Sequence, residues 1–338
     1  MICEYEDWNS FFYNILANED DKKYAFFVGA GISIGSGLPP FNKFMDNFIG
    51  DLVPYEWKTK IHSAVIKRLR PEVLLQIIYQ VYGDKTLEFY KCLDGGTPNH
   101  NHYFLALCLA KGHCIITPNV DNLIEQACSI LKIPYETVYI SNKEDISSER
   151  SVDVSKLTTY KDITENDPYN ISSKIFKFHG SIEPTRTNLE KYDSIRFILN
   201  RVGLGLDRYT TEVLEEIIQQ RDLVFLGYSG NDHFSVYPLL LKIDSDQNLY
   251  WFKYESKDEL IQNKKNFKNL REEKINNLLE TLVFENWEYI SLLDIIIKRS
   301  PNSYLIEGNS SKNIENAISH LKELKPKSIK SLINDIPT

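Results

Sequence analysis

Six short, mainly apolar runs constrain the fold of this chain more than any other feature. They lie at residues 24–28, 113–117, 174–178, 222–226, 249–253 and 303–306. Runs of this length without regular polar alternation are typical of strands buried on both faces of a parallel sheet. Most of them are followed by a polar turn and a helical pattern, and this order predicts alternating strands and helices.

Helical patterns fill the chain around these runs. Apolar residues at helical spacing predict an amphipathic helix over residues 4–18, packed on the body of the protein. About 80 residues of helix-type sequence separate the first two runs, more than one crossover helix requires, so we interpret residues 41–97 as an inserted helical subdomain. The polar stretch 141–170 predicts a loop or lid, and residues 311–338 predict a closing helix and a frayed tail packed on the same domain. Individual helices are predicted at residues 55–69, 71–82 and 99–110.

These patterns together predict a Rossmann-like, doubly wound parallel α/β sheet. The 338 residues are enough for one large core, and we assign residues 1–310 to a single domain. In such sheets a ligand binds beyond the carboxyl ends of the strands, where the strand order reverses. Four of the six runs end in residues suited to that position.

The overall charge argues against nucleic acid as a direct partner. The formal net charge is -8 and the pI is about 5.5, whereas capture of DNA or RNA needs an excess of Lys and Arg facing the phosphates. Lysines gather after residue 253. Acidic residues are interspersed among them, so we interpret them as a solvated face.

The five cysteines form no C-x-x-C pair, which is typical of reduced thiols in a cytoplasmic protein. The first residues are acidic where a secretory signal would be basic. No apolar run approaches the roughly 18 residues of a membrane span. We therefore expect a cytoplasmic protein without a membrane partner.

Glycines follow the first predicted strand, in the motif that contains Gly29, Ala30, Gly31 and Ser33. Glycines at such a turn allow the backbone to approach a diphosphate, and the following helix start offers unpaired N–H groups. The spacing is not G-x-G-x-x-G, so a purely structural turn is the alternative. We predict a phosphate-binding loop.

Polar residues follow the second predicted strand, at Thr117, Asn119 and Asp121. Asp121 can cap the next helix, which is a structural role. Asn119 has no comparable structural explanation. A carboxamide at a strand tip can orient a water molecule and sugar hydroxyls without adding charge.

The third motif places His179 before Gly180 at the end of a predicted strand, where general bases are often found. A single histidine is more often structural or solvated, so its catalytic role depends on the other motifs. The fourth motif contains Gly227, Tyr228, Ser229 and Asp232. Gly227 permits close backbone approach and Ser229 can donate to a phosphate or ribose oxygen. Asp232 either caps the next helix or accepts from a sugar hydroxyl.

Taken in this order, the four motifs resemble the sirtuin family over nearly the whole chain, and Pro98 with His102 adds to the likeness. The resemblance implies an NAD-binding catalytic domain with His179, Asn119 and Asp121 as catalytic residues. The residues implied to bind NAD are Gly29, Ala30, Gly31, Ser33, Thr117, Gly227, Tyr228, Ser229 and Asp232.

The sequence departs from protein-deacylating sirtuins at three points. No cysteine follows Cys128, so the zinc module of paired C-x-x-C motifs cannot form, and we expect no metal. Asn42 stands where deacylases have the arginine of Pro-Asp-Phe-Arg, and Pro118 stands where they have glutamine. This form resembles the sirtuin-like NAD hydrolases of bacterial anti-phage defence, and it implies cleavage of NAD to nicotinamide and ADP-ribose.

Other functions stay open at this point. An NAD-dependent deacylase or ADP-ribosyl transferase would use another nucleophile in place of water, and a cyclising enzyme would release cyclic ADP-ribose. A non-catalytic subunit would bind NAD or ADP-ribose and regulate a partner. An unregulated NAD hydrolase would kill its own cell, so we expect control by homo-oligomerisation, by a partner such as a defence ATPase or an Argonaute-like protein, or by phage proteins.

Overall fold

A computed structural model of the protein describes twelve segments of the chain. They are residues 8–17, 22–38, 71–82, 93–139, 158–166, 170–182, 206–228, 236–242, 245–254, 263–266, 303–324 and 330–337. Nine strands and nine α-helices lie within these segments, and the labels below number them in chain order.

The described strands form one sheet. They are β1 (Tyr24–Val28), β2 (Cys114–Thr117), β3 (Glu136–Tyr139), β4 (Thr158–Thr159), β5 (Lys174–Lys177), β6 (Asp222–Leu226), β7 (Leu249–Tyr254), β8 (Asn263–Asn266) and β9 (Ser303–Gly308). Their order across the sheet is β4-β3-β5-β2-β1-β6-β7-β9-β8. The pairings are parallel except for β8 with β9 at one edge. The predicted doubly wound parallel sheet is confirmed.

The six predicted strands are all present, with ends shifted by two residues at most. Three further strands escaped prediction because they lack the apolar run of a central strand. Strand β8 has the sequence Asn-Lys-Lys-Asn and forms one edge of the sheet, and β4 has two residues and forms the other. Strand β3, next to β4, has the sequence Glu-Thr-Val-Tyr and likewise contains no apolar run.

Helices cover the sheet on both sides. They are α1 (Trp8–Ala17), α2 (Pro71–Tyr82), α3 (His100–Ala110), α4 (Leu123–Ile130), α5 (Tyr160–Asn166), α6 (Arg208–Gln220), α7 (Val236–Lys242), α8 (Ser310–Leu324) and α9 (Lys330–Ile333). Helices α2 and α3 confirm the predictions at 71–82 and 99–110, and Asn99 is the N-cap of α3. The predicted helix at 55–69 and most of the helical insert at 41–97 lie outside the described residues.

Two expectations about less regular segments are corrected. Residues 158–166, inside the stretch interpreted as a loop or lid, form β4 and α5, because Tyr160 and Ile163 are buried in the core on one side of the sheet. Two isolated apolar residues in a polar stretch give no periodic signal. In the segment predicted as a frayed tail, the described residues 330–337 form α9 and bury Ile333 and Ile336 in the same core as α8.

Alternate residues of the central strands point to opposite faces of the sheet, and each face has its own core. Phe26 and Val28 pack in the core that contains apolar residues of α1, α3 and α8. Phe27 packs in the other, with apolar residues of α6. On that face the rings of Phe27, Phe225 and Trp251 stack across three neighbouring strands, with centroid distances of 4.9 and 4.3 Å. The carboxyl ends of these strands are therefore held in place by a close-packed core.

His113, at the amino end of β2, makes the stability of the fold dependent on pH. Its Nδ1 accepts the backbone N–H of Tyr24 at 3.1 Å, and burial lowers the pKa of its imidazole to about 3. The unfolded chain has a histidine pKa of about 6.5, so between these values the unfolded state binds more protons. The free energy of unfolding therefore falls as the pH falls through this window, by about 1.4 kcal/mol per pH unit for this one group.

We expect the substitution His113→Gln to flatten this dependence, because glutamine does not titrate. The measurement is urea denaturation of both proteins at pH 7 and pH 5. Other buried histidines contribute equally to both proteins and cancel in the comparison. If the two proteins lost the same free energy of unfolding between these pH values, His113 would not be the responsible group.

Candidate functional site

The four motifs follow four neighbouring strands at the centre of the sheet. In the order β5-β2-β1-β6 these strands carry the His179, Asn119, Gly29 and Gly227 motifs. The strands are parallel, so their carboxyl ends meet at one edge of the sheet. The strand order reverses between β1 and β6, because β2 lies on one side of β1 and the later strands β6 and β7 on the other. This is the position at which doubly wound sheets bind ligands.

The loops after β1 and β6 pack backbone against backbone. The Gly29 N–H donates to the Leu226 carbonyl at 3.0 Å, and the Gly31 N–H donates to the Gly227 carbonyl at 2.9 Å. A Cβ on Gly31 would lie 2.7 Å from Gly227 Cα. Close packing between the loops therefore requires these glycines. This agrees with the alternative prediction of a purely structural turn. Two of the N–H groups expected to face a phosphate are already used.

The first loop begins with the short 3₁₀ helix Ala30–Ser33, in which Ala30 is exposed and Ile32 and Ser33 are buried. The side chain of Tyr228 is buried. Its ring packs in the core, with centroids 4.9 Å from Phe27 and 5.8 Å from Trp251. Any contribution of Tyr228 to ligand binding comes from its backbone. Ser229 and Asp232, both predicted to bind NAD, lie outside the described residues.

Thr117 holds the loop that carries Asn119. Its hydroxyl donates to the Val28 carbonyl at 2.8 Å and accepts the Asn119 backbone N–H at 3.0 Å. Thr117 is fully buried, so it positions the loop through these two bonds. The side chain of Asn119 is 7 % exposed, and its Nδ2 has no hydrogen-bond partner among the described residues. A buried amide donor left unpaired costs free energy, and a ligand oxygen would satisfy it.

Asp121 is held by groups from three segments of the chain. Its Oδ1 accepts the backbone N–H of Leu123, the first residue of α4, at 3.2 Å, but the N-cap residue of that helix is Asn122 and not Asp121 as predicted. Its Oδ2 accepts the hydroxyl of Ser33 at 3.1 Å, and its carbonyl accepts from the ammonium of Lys177. Burial raises the pKa of the Asp121 carboxyl, while Lys177 and the two hydrogen bonds act in the opposite direction.

His102 fixes the direction of the Ser33 hydroxyl. The backbone N–H of Asn99 donates to His102 Nδ1 at 3.1 Å, which assigns the ring proton to Nε2, 3.3 Å from Ser33 Oγ. Burial lowers the pKa of His102 to about 3, so the imidazole is neutral near pH 7. Ser33 then accepts from His102 and donates to Asp121. Its proton is directed inward, away from the phosphate site predicted for it.

His179 and Asn119 lie at matching positions on neighbouring strands. Thr117 of β2 is in register with Lys177 of β5, and each candidate residue comes two positions later. Neighbouring strands are about 4.8 Å apart, so the two strand tips are adjacent. The Ile182 N–H donates to the Val120 carbonyl at 2.8 Å and joins the two loops. His179 itself is buried, with its ring edge against Phe178 at a centroid distance of 4.6 Å.

Two buried residues of this region were not among the predicted site residues. Lys177 is 1 % exposed and forms an ion pair with Glu125 at 2.7 Å. A lysine inside a run expected to be buried on both faces is a signal that the sequence offered. His102 was noted only for its resemblance, and no pattern of spacing indicated that it would contact Ser33.

No group of three or more His, Cys, Asp or Glu side chains close enough to hold a metal ion occurs in the described parts of the chain. Cys108, Cys114 and Cys128 are buried free thiols, and burial raises the pKa of Cys114 to about 11. Such thiols are protonated and unreactive at neutral pH. Among the described helices, none has the length and apolar character needed to cross a membrane.

No curated protein matches the chain. The loops that carry Asn119, His179 and Gly227 all fall within one matched segment, and the Gly29 loop precedes it and is joined to it through Gly227. That segment, residues 113–278, matches the family model described as a SIR2-like domain, which implies binding or use of NAD.

Proposed function

Because this chain is sirtuin-like, with a SIR2-like domain over residues 113–278, we propose that it is an NAD hydrolase that releases nicotinamide and ADP-ribose. One observation carries the proposal: Asn119 and His179 lie at neighbouring strand tips, and the buried Asn119 Nδ2 has no partner among the described residues. The tip of β2 is next to that of β1, and the tip of β5 is one strand further from the switch point between β1 and β6, where a dinucleotide would bind.

The chemistry requires placement more than strong acid catalysis. Nicotinamide is a cationic leaving group, so its bond to the ribose breaks readily through an oxocarbenium-like state. Asn119 Nδ2 would donate to a ribose hydroxyl or to the attacking water. His179 would take a proton from that water or from a ribose hydroxyl as it reacts, a role worth about 10²- to 10⁴-fold in rate. The loops at Gly31 and Gly227 would hold the rest of the nucleotide and thereby orient the ribose.

Hydrolysis is favoured over protein deacylation by the sequence itself. The chain has no cysteine after Cys128, so the zinc-binding cysteine pairs of protein deacylases are absent. Pro118 within the Asn119 motif resembles the NAD hydrolases of anti-phage defence. We therefore propose that the enzyme depletes NAD after infection, as a cytoplasmic homo-oligomer or together with a partner such as an ATPase or an Argonaute-like protein.

The direct test is to incubate the purified protein with NAD, alone and with candidate partners, and to identify the products by chromatography and mass spectrometry. Equal amounts of nicotinamide and ADP-ribose would support hydrolysis. An O-acyl ester formed with an acylated peptide would indicate a deacylase, and cyclic ADP-ribose would indicate a cyclase. NAD recovered unchanged from every assembly would indicate a sensing subunit and reject the proposal.

The substitution Asn119→Ala is expected to separate stability from activity. It removes a buried donor that has no described partner, so the melting temperature should stay constant or rise. Turnover should fall by about 10²- to 10³-fold, as when one positioned donor is removed from an active site. Nicotinamide release and thermal unfolding measure the two effects.

Asn122→Ala is the matched control, because it changes the same residue type in the same loop, where the side chain caps no backbone N–H. It should retain near wild-type turnover. An Asn119→Ala protein that hydrolyses NAD at the wild-type rate would remove Asn119 from the proposed site.

A further inference from the structure

We propose that Lys177 is a positioning residue, whose ammonium holds the Asn119 loop and the His179 loop in a fixed relation. The inference rests on the proposed function, because it concerns the geometry between the two residues assigned to NAD hydrolysis. Lys177 is the last residue of β5 and comes two positions before His179. Its side chain is 1 % exposed, so it acts entirely within the protein.

The ammonium has three N–H donors and contacts three groups, two of which accept hydrogen bonds from it. One acceptor is the Asp121 carbonyl, in the loop that also carries Asn119. The second is Ser181 Oγ at 3.1 Å, in the loop that also carries His179. The ammonium also forms an ion pair with the Glu125 carboxylate at 2.7 Å, on α4. Two hydrogen bonds and one ion pair of a single buried group thus join the two candidate catalytic loops and the helix that follows one of them.

A stabilising role alone would not require this arrangement. Burial of an ion pair is expensive, and an apolar pair of similar volume often preserves or increases stability. A lysine and glutamate that served only packing would therefore be replaceable. By contrast, a displacement of about 1 Å between reacting groups can lower the rate by about 10²-fold. The position of Lys177 indicates that its bonds serve that geometry.

The experiment uses the double substitution Lys177→Met/Glu125→Leu in the full chain, which removes both partners of the ion pair. We expect a folded protein with kcat lowered by about 10²-fold and KM for NAD within about threefold of wild type, because the Gly31 and Gly227 loops are unchanged. In parallel, hydrogen exchange at the Ile182 amide, which bonds to Val120 across the two loops, should accelerate. Exchange in β1 should not change.

The matched control is Lys174→Met/Glu136→Leu, which removes the ion pair at the other end of the same strand. It should keep the wild-type kcat. If the Lys177 double variant folds and keeps kcat within about twofold of wild type, or if KM rises while kcat is constant, the inference is overturned.

If that double variant does not fold, Ser181→Ala decides. It removes one acceptor of the ammonium and the bond that the Ser181 hydroxyl donates to the Val120 carbonyl at 3.4 Å, and it leaves the ion pair. We expect kcat to fall about tenfold, and a wild-type kcat would overturn the inference. Absence of NAD turnover in the wild-type protein would reject the proposed function instead. In that case an Ile182 amide that exchanges at the wild-type rate in the variants would separately reject the role of Lys177 in joining the loops.

Discussion

Turnover of NAD is expected to fall by about 10²- to 10⁴-fold in a His179→Ala variant, with little loss of stability. The physical reason is the position of the imidazole at the carboxyl end of β5, beside the tip that carries Asn119. Removing the ring takes away the group assigned to accept a proton as water or a ribose hydroxyl reacts. The Gly31 and Gly227 loops are untouched, so affinity for NAD should change far less than turnover.

Nicotinamide release and calorimetric titration with NAD separate these two effects. His320→Ala is the control, because it removes an imidazole that is exposed on α8. The control protein should hydrolyse NAD at the wild-type rate. Equal turnover in the His179→Ala protein and the control would exclude His179 as a general base.

The substitution Gly227→Ala is expected to abolish NAD binding and to destabilise the fold. Gly227 has a φ of +58°, and an added Cβ would lie 2.5 Å from the backbone nitrogen of Ile32. The left-handed conformation costs about 1–2 kcal/mol for a residue with a side chain. The collision adds about 1–3 kcal/mol, because the loops after β1 and β6 must separate. That separation opens the crevice in which the dinucleotide would bind.

Gly112→Ala measures the cost of a positive φ alone, without the collision between the two loops. Gly112 also has a positive φ, of +82°, but its added Cβ would meet only the side chain of Lys23, nearest at Cε at an ordinary 3.5 Å, near the opposite edge of the sheet. The control should lose about 1–2 kcal/mol of unfolding free energy and keep NAD binding. Urea denaturation and NAD titration of both variants test the comparison. If both variants bound NAD equally well, the packing of the two loops would not matter for the site.

The central strands were predictable because burial on both faces leaves a local signature. Runs such as Tyr24–Val28 and Asp222–Leu226 are apolar throughout their interiors, so composition alone identifies them. The edge strands were not predictable for the complementary reason. Strand β8 is held by its backbone pairing with β9, and the sequence Asn-Lys-Lys-Asn carries no trace of that pairing.

For the candidate site, the sequence indicated which residues follow the strands but not what each side chain would contact. Ser33 was expected to face a phosphate, yet its hydroxyl is enclosed between His102 and Asp121. Both partners are distant in the chain, and their approach depends on how α3 packs beside β1 and β2. The glycines were expected to let the backbone approach a ligand. In the structure, the absence of their Cβ atoms lets the loops after β1 and β6 pack against each other. The spacing of glycines in a sequence does not distinguish a loop that approaches a ligand from a loop that packs against another loop.

The pairing of β1 with β6 also affects when the crevice can exist during synthesis. These strands begin at Tyr24 and Asp222, and the loops that pack together, at Gly31 and Gly227, belong to their far ends. A ribosome-bound chain that ends before Gly227 contains only the first of these two loops. The earlier segments, including Asn119 and His179, can leave the ribosome and begin to fold before a dinucleotide has a place to be held. An incomplete translation product therefore lacks one of the two loops that would hold the dinucleotide in the proposed reaction.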